Sequence, residues 1–264
     1  MGKLLLFILL LSLLSCGKNA GDTTFMPARD GVYSNGNLGT GNISNSGVAA
    51  PAGFNWSELQ NNPGENITNY ILGITCSRAG LGNYHVADDF TIPAGQTWKI
   101  SRFSIYAYQD NMAGPVSPFD SLRIQVWNKK PQQTGAAIIF GNLTSNVLSS
   151  SIDSFTYVIE NSTVPAPGIT PYYIDRVWKL SANVDLTLQA GTYWLDWQTH
   201  TSGNYYNYTP TVKVKGTRGL PGWNAIVFNA LNVWQDVRDY GRTASGPTPP
   251  IINQDLPFEI VYKY

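Results

Sequence analysis

RVWKLSANVDLTLQAGTYWLDWQTH, residues 176–200, decides the fold class. In its first half Trp178, Leu180, Ala182, Val184, Leu186 and Leu188 alternate with Lys179, Ser181, Asn183, Asp185 and Thr187. A period of two over eleven residues is the mark of a strand with one buried face, because successive side chains of extended backbone point to opposite sides. After the turn Leu188-Gln-Ala-Gly191 the alternation resumes with Tyr193, Leu195 and Trp197 on one side and Trp194, Asp196, Gln198 and His200 on the other. The first set is expected to face the core. That leaves Trp194 beside Asp196 and Gln198 on a more polar surface.

Working outward, the same alternation recurs in short runs bounded by Gly, Pro, Asn and Asp, clearest at 85–92, 97–109, 121–128, 136–140, 155–160, 208–214 and 257–264. In 97–109 the apolar phase is even at Trp98 and Ile100 and odd at Phe103, Ile105 and Ala107, which predicts a β-bulge near Ser101 or Arg102. Ile92-Pro-Ala-Gly95 reads as a second turn matching 188–191, each joining an outgoing strand to an aromatic-rich one. No stretch carries a helical period. The prediction is an all-β chain: a single two-sheet antiparallel β-sandwich, jelly-roll-like, over residues 30–264.

Composition agrees. Aromatic residues make up 12% and charged residues 13% of the chain, so polarity rests on Asn, Ser, Thr, Gln and Gly, as suits an exposed antiparallel β protein. Lys plus Arg and Asp plus Glu number 17 each. Neutrality without a basic run gives no footprint for nucleic acid.

The N-terminus reads as an address. Lys3 precedes an apolar run from Leu4 to Leu14, too short to span a bilayer, and small Ser15 precedes Cys16. Leu13-Leu14-Ser15-Cys16 resembles the bacterial lipobox, which implies cleavage after residue 15 and acylation of Cys16. Two or more acyl chains hold stably where one binds reversibly. The expected organisation is therefore a signal peptide over 1–15, a lipidated cysteine and tether over 16–29, and the β domain after it. The location is the bacterial cell envelope, extracytoplasmic, at the outer membrane or cell surface rather than the cytoplasmic membrane. With Cys16 used, Cys76 has no partner for a disulfide.

Val86-Ala-Asp-Asp-Phe90, Trp98-Lys-Ile100, Ile105-Tyr-Ala-Tyr-Gln109, 141–146, 191–198, Asn224-Ala225, Trp234 and Leu256-Pro-Phe258 together resemble a group of uncharacterised secreted bacterial proteins with an ADDF-type and a GTYWLDW-type strand. The resemblance implies a β-sandwich and leaves the biochemical role open.

Catalytic signatures are missing. The two histidines, His85 and His200, lie in no metal-ligand spacing, there is no nucleophile elbow or P-loop, and the four glutamates, Glu58, Glu65, Glu160 and Glu259, form no evident pair for glycoside hydrolysis. A non-enzymatic binding module is expected, with a structural or adhesive surface protein as the alternative and a glycan-active hydrolase behind both. Its partners are the membrane, through lipid on Cys16, and a glycan or a surface protein; the chain is expected to be a monomer. Exposed aromatics flanked by amides and carboxylates suit stacking on a sugar ring, so Trp127, Trp194, Asp196 and Gln198 are candidate contacts. The run Asn204-Tyr-Tyr-Asn-Tyr208 adds Tyr205 and Tyr206. Asp88 and Asp89 are adjacent, so on a strand one must point inward. It then either accepts backbone N–H groups at a corner or, with its neighbour, ligates Ca²⁺.

Overall fold

The structure is a computed structural model that describes residues 29–62, 70–79, 82–159, 175–203, 205–241 and 249–264. Cys16, the remainder of the expected signal peptide and tether up to residue 28, and Glu65 and Glu160 lie outside the described residues. Early in the chain come β1 (Asp30–Ser34), β2 (Asn55–Glu58), β3 (Gly73–Thr75), β4 (Arg78–Ala79) and β5 (Gly82–Asn83). The middle holds β6 (His85–Gln109), β7 (Phe119–Trp127), β8 (Ile138–Asn142), β9 (Ser150–Ile159) and β10 (Asp175–Thr201). The last part carries β11 (Asn207–Pro210), β12 (Ile226–Phe228), β13 (Trp234–Asp236), β14 (Arg238–Asp239), β15 (Ile252–Asn253) and β16 (Phe258–Lys263). No helix occurs among the described residues, so the chain is all-β.

Two long strands organise everything else. β6 and β10 pair antiparallel from one end to the other, as Trp178↔Ala107 through Leu188↔Trp98 and then Gly191↔Ile92 through Trp197↔Val86. The expected turns at 92–95 and 188–191 do not end these strands. They fall opposite one another, with residues 93–96 bulging out across from the single Ala190, and the ladder then resumes. Because both strands of the ribbon carry their turn at the same level, they bend together instead of reversing. The predicted bulge falls at Ser101: Ile100 and Arg102 pair with Tyr262 and Val261 of β16, leaving Ser101 unpaired.

The two halves of the ribbon recruit different neighbours. Residues 97–109 of β6 take β16, which takes β1, while the first half of β10 takes β9, which pairs with β2 in the one parallel ladder among the described strands. Residues 85–92 of β6 take β12 and through it β13, while the second half of β10 takes β7, then β8. With β3 and β11 at the end of β6, hydrogen bonding connects twelve strands into one sheet, and β4–β5 and β14–β15 form separate two-stranded pieces. Gly141 lets β8 approach β7 closely: at φ 72°, a Cβ there would lie 2.2 Å from the Ile124 carbonyl oxygen.

Both halves feed one core. Val86, Phe90 and Ile92 from one half of β6 join Trp98, Ile100, Phe103 and Ile105 from the other, with Leu180, Leu195, Trp197 and Phe258. Rings meet across the bend, Phe90 to Phe103 at 6.4 Å and Trp197 to Phe258 at 6.0 Å between centroids. Each such side chain contributes about 1.5–3 kcal/mol on burial, so the cluster stabilises the domain without covalent staples.

Candidate functional site

The GTYWLDW strand keeps the two faces that alternation gives it, but neither is open. Leu195 and Trp197 enter the main core with Tyr193 packed against it. Trp194 is only 4% exposed, which corrects its expected place on a polar surface. It packs with Ala87 and Ile226, with Trp127 and Trp234 at its margin, and Lys130 Nζ lies 5.2 Å above its ring. That lysine is held by the Asn224 carbonyl at 3.4 Å and by Asp236 at 3.3 Å. Alternation separates two faces of a strand; what covers the outer one depends on β12 and on the loop after β7.

Asp196 is likewise buried rather than presented. Its carboxylate accepts from His85 Nδ1 at 2.7 Å, Gln125 Nε2 at 2.6 Å and Trp127 Nε1 at 3.0 Å. Both carboxylate oxygens are thus hydrogen-bonded within the protein. The His85 ring is stacked on Phe228 at 4.6 Å and edge-on to Trp234 at 4.8 Å. Among the described residues no hydroxyl or thiol bonds to His85, so the His–Asp pair is not joined to a nucleophile. Gln198, fully buried, donates Nε2 to Asn83 Oδ1 at 2.7 Å and to the Tyr84 carbonyl at 3.0 Å. Tyr205 is exposed, and Tyr206 packs edge-on against Tyr84. The structure thus joins Trp127, Trp194 and Asp196 in one covered cluster, sets Gln198 farther along the strand, and leaves Tyr205 alone of the six on open surface.

Asp88 is the inward member of its pair, and N–H groups converge on it: Asn35 Nδ2 at 2.8 Å, the Leu256 amide at 2.7 Å and the Asp89 amide at 2.9 Å. This is the corner arrangement, three donors rather than a shell of oxygens. Among the described residues no three His, Cys, Asp or Glu side chains gather as metal ligands. Burial pushes the Asp88 carboxyl well above the usual carboxylate range, and the nearby Asp255 charge adds to this against the pull of the amides.

Asn35 connects this corner to a cavity of about 290 Å³ lined by Ser34, Asn35, Asn37, Val212, Leu220, Trp223 and Asp255 among others. Its chemistry differs from that of the covered face, where every polar partner of Asp196 is already used. Asp255, one of the lining residues, takes the Asn224 amide on Oδ1 at 2.7 Å. Val212 and Leu220 supply apolar wall and Trp223 an aromatic one. Burial, with the Asp89 charge behind it, pushes the Asp255 carboxyl up to about 6.

A raised carboxyl binds its proton more tightly in the folded state, so its contribution to stability is present at acid pH and fades as pH rises from about 4 to about 6. Asp255→Asn keeps the acceptor for Asn224 and removes the charge. It is expected to stabilise the protein by about 1–2 kcal/mol near pH 7.5, after discounting for partial exposure, and to change it little near pH 4. Urea unfolding at both pH values checks this; an equal effect at the two would refute it.

Sequence reading does not reach this site. Trp223 follows Pro221-Gly222 in a loop, and the lining comes from three stretches far apart in the chain, 34–37, 212–223 and Asp255, none with a period or motif of its own. Comparison of the chain with protein-family models, with curated proteins and with solved structures finds no match.

Proposed function

We propose that the chain is a lipid-anchored, extracytoplasmic, non-enzymatic binding module, a jelly-roll-like β-sandwich that takes a carbohydrate ligand in the cavity beside Trp223. The observation that carries the reading is the meeting of Trp223, Asp255 and Asn37 with the apolar Val212 and Leu220 in a concave site. Pockets of this kind bind small molecules through a mostly apolar lining and a few placed polar groups. An aromatic face stacks on the apolar face of a pyranose while Asp255 and Asn37 take its hydroxyls. What supports the sandwich is that residues from both halves of the β6–β10 ribbon share one core cluster, with Phe90 against Phe103 and Trp197 against Phe258. The anchor is supported by Lys3, the apolar run and Cys16.

The test uses the Cys16→Ser full-length chain, expected in the soluble fraction, against a panel of glycans and polysaccharides with tryptophan fluorescence as readout. One glycan class is expected to be retained, with affinity falling roughly tenfold or more in Trp223→Ala, the size of one stacking contact. No retention by any member, or equal affinity in Trp223→Ala, would sink the proposal.

A further inference from the structure

Of the residues that line the Trp223 cavity, Asp255 is the one that carries a charge. Asp255 and Trp223 are both half-buried, so neither is closed to a ligand. Two of the other polar side chains are engaged within the protein. Asn35 donates to Asp88 at 2.8 Å and to the Leu256 carbonyl at 3.1 Å, and accepts from the Tyr33 hydroxyl at 2.8 Å. Ser34 Oγ donates to the Gly36 carbonyl at 3.2 Å. That leaves Asp255, with Asn37, to decide what the cavity takes. No ion pair among the described residues includes Asp255, Asp88 or Asp89. The charge that bears on Asp255 is a like one, that of Asp89, and Asp255 bears in turn on Asp88. Lys130 reaches the carbonyl of Asn224, next in the chain to Trp223, but is paired with Asp236. Lys213, between the lining residues Val212 and Val214, is buried and donates to Thr211 Oγ1 at 2.9 Å.

A carboxylate in this setting favours a cation over a neutral group. A hydroxyl would give Asp255 a hydrogen bond and leave its charge in place, whereas an ammonium supplies both the bond and the opposite charge. The cation also offsets the repulsion from Asp89. The indole adds to the preference, because the face of a tryptophan ring attracts a cation within about 6 Å. At about 290 Å³ the cavity is at the small end of ligand pockets, which run from roughly 300 to 1,000 Å³, and this suits one sugar ring rather than a chain. We infer that the cavity selects an amino sugar, a single pyranose ring whose protonated amine pairs with Asp255 while the ring stacks on Trp223. This rests on the carbohydrate reading of the cavity and narrows it to one charge class, from which acidic sugars are excluded.

Calorimetric titration of the full-length Cys16→Ser chain near pH 7 tests it, with glucosamine, glucose, glucuronate and ethanolamine as probes at constant ionic strength. Glucosamine is expected to bind saturably, roughly tenfold or more tighter than glucose, which carries a hydroxyl in place of the amine. Glucuronate is expected to bind least, since its charge is that of Asp255. Asp255→Asn, which is expected to fold at least as stably as the parent, is expected to bind glucosamine and glucose alike. Equal affinity for the two in the parent chain would overturn the charge preference and leave the carbohydrate reading standing. So would glucuronate binding as tightly as glucosamine, or a glucosamine advantage that survives in Asp255→Asn. Ethanolamine binding as tightly as glucosamine would show that the ring plays no part, and would sink the inference together with the reading it rests on. Absence of saturable glucosamine binding overturns the inference, and retention of a neutral glycan in the panel would then show that the carbohydrate reading outlives it.

Discussion

Asp196→Ala is expected to cost about 3–5 kcal/mol of folding stability, enough to remove a large part of an ordinary domain's margin. The carboxylate is fully buried and gathers His85, Gln125 and Trp127 from two strands onto itself. Truncation leaves three N–H donors facing a void. Trp127 is half-buried and can turn toward water, but His85 and Gln125 are each 5% exposed and lose their partner outright. Asp196→Asn is the sharper variant, because it preserves volume while placing an amide N–H₂ among donors, at a cost of about 1–3 kcal/mol. Guanidinium unfolding measures both. If Asp196 were a ligand contact on an open face, Asp196→Asn would keep full stability and lose binding; here the loss is expected in stability first, and a variant as stable as the parent would overturn the buried-network account.

The contrast with the reading of Trp194 and Asp196 as surface residues shows where one-dimensional patterning stops. The inward set Tyr193, Leu195 and Trp197 was legible because a strand has only two faces and one of them must be apolar. The bulge at Ser101 was legible for the same reason: the apolar phase changes from even to odd between Ile100 and Phe103, and only an extra residue restores a common face. Coverage of the other face was not legible. Lys130 reaches Trp194 from a loop with no period, and Ile226 and Trp234 come from short strands about thirty residues or more farther along the chain. The turns at 92–95 and 188–191 were visible as turns, yet that they lie opposite each other follows from the register of the β6–β10 pairing, which composition does not encode. The cavity is harder still, since Asn35, Val212, Trp223 and Asp255 meet only when three distant stretches of the chain have folded against one another.

What holds those segments leads to the other large effect, expected for Asp239→Ala. Arg218 and Asp239 have fully buried side chains, and Arg218 Nε and Nη2 both reach Asp239 Oδ2 at 2.6 Å. The other carboxylate oxygen takes the amides of Tyr70 and Gly241, each at 2.8 Å, while Arg218 Nη2 also donates to the Pro250 carbonyl at 3.2 Å. The pair ties the loop that carries Leu220 and Trp223 to β14 and to the segment before β15. Removing the carboxylate strands a guanidinium in a dry interior, at about 3–5 kcal/mol. Because Trp223 hangs from the same loop, Asp239→Ala is also expected to weaken binding in the cavity, although Asp239 is not among its lining residues. Replacing both partners, as Arg218→Met with Asp239→Leu, removes the stranded charge and is expected to recover most of the stability, since a buried pair exchanged for apolar side chains of similar size is often neutral. Chemical unfolding of the single and double variants separates these outcomes. A double variant no more stable than Asp239→Ala would mean that the amides of Tyr70 and Gly241, rather than the charge on Arg218, are what Asp239 is there to hold.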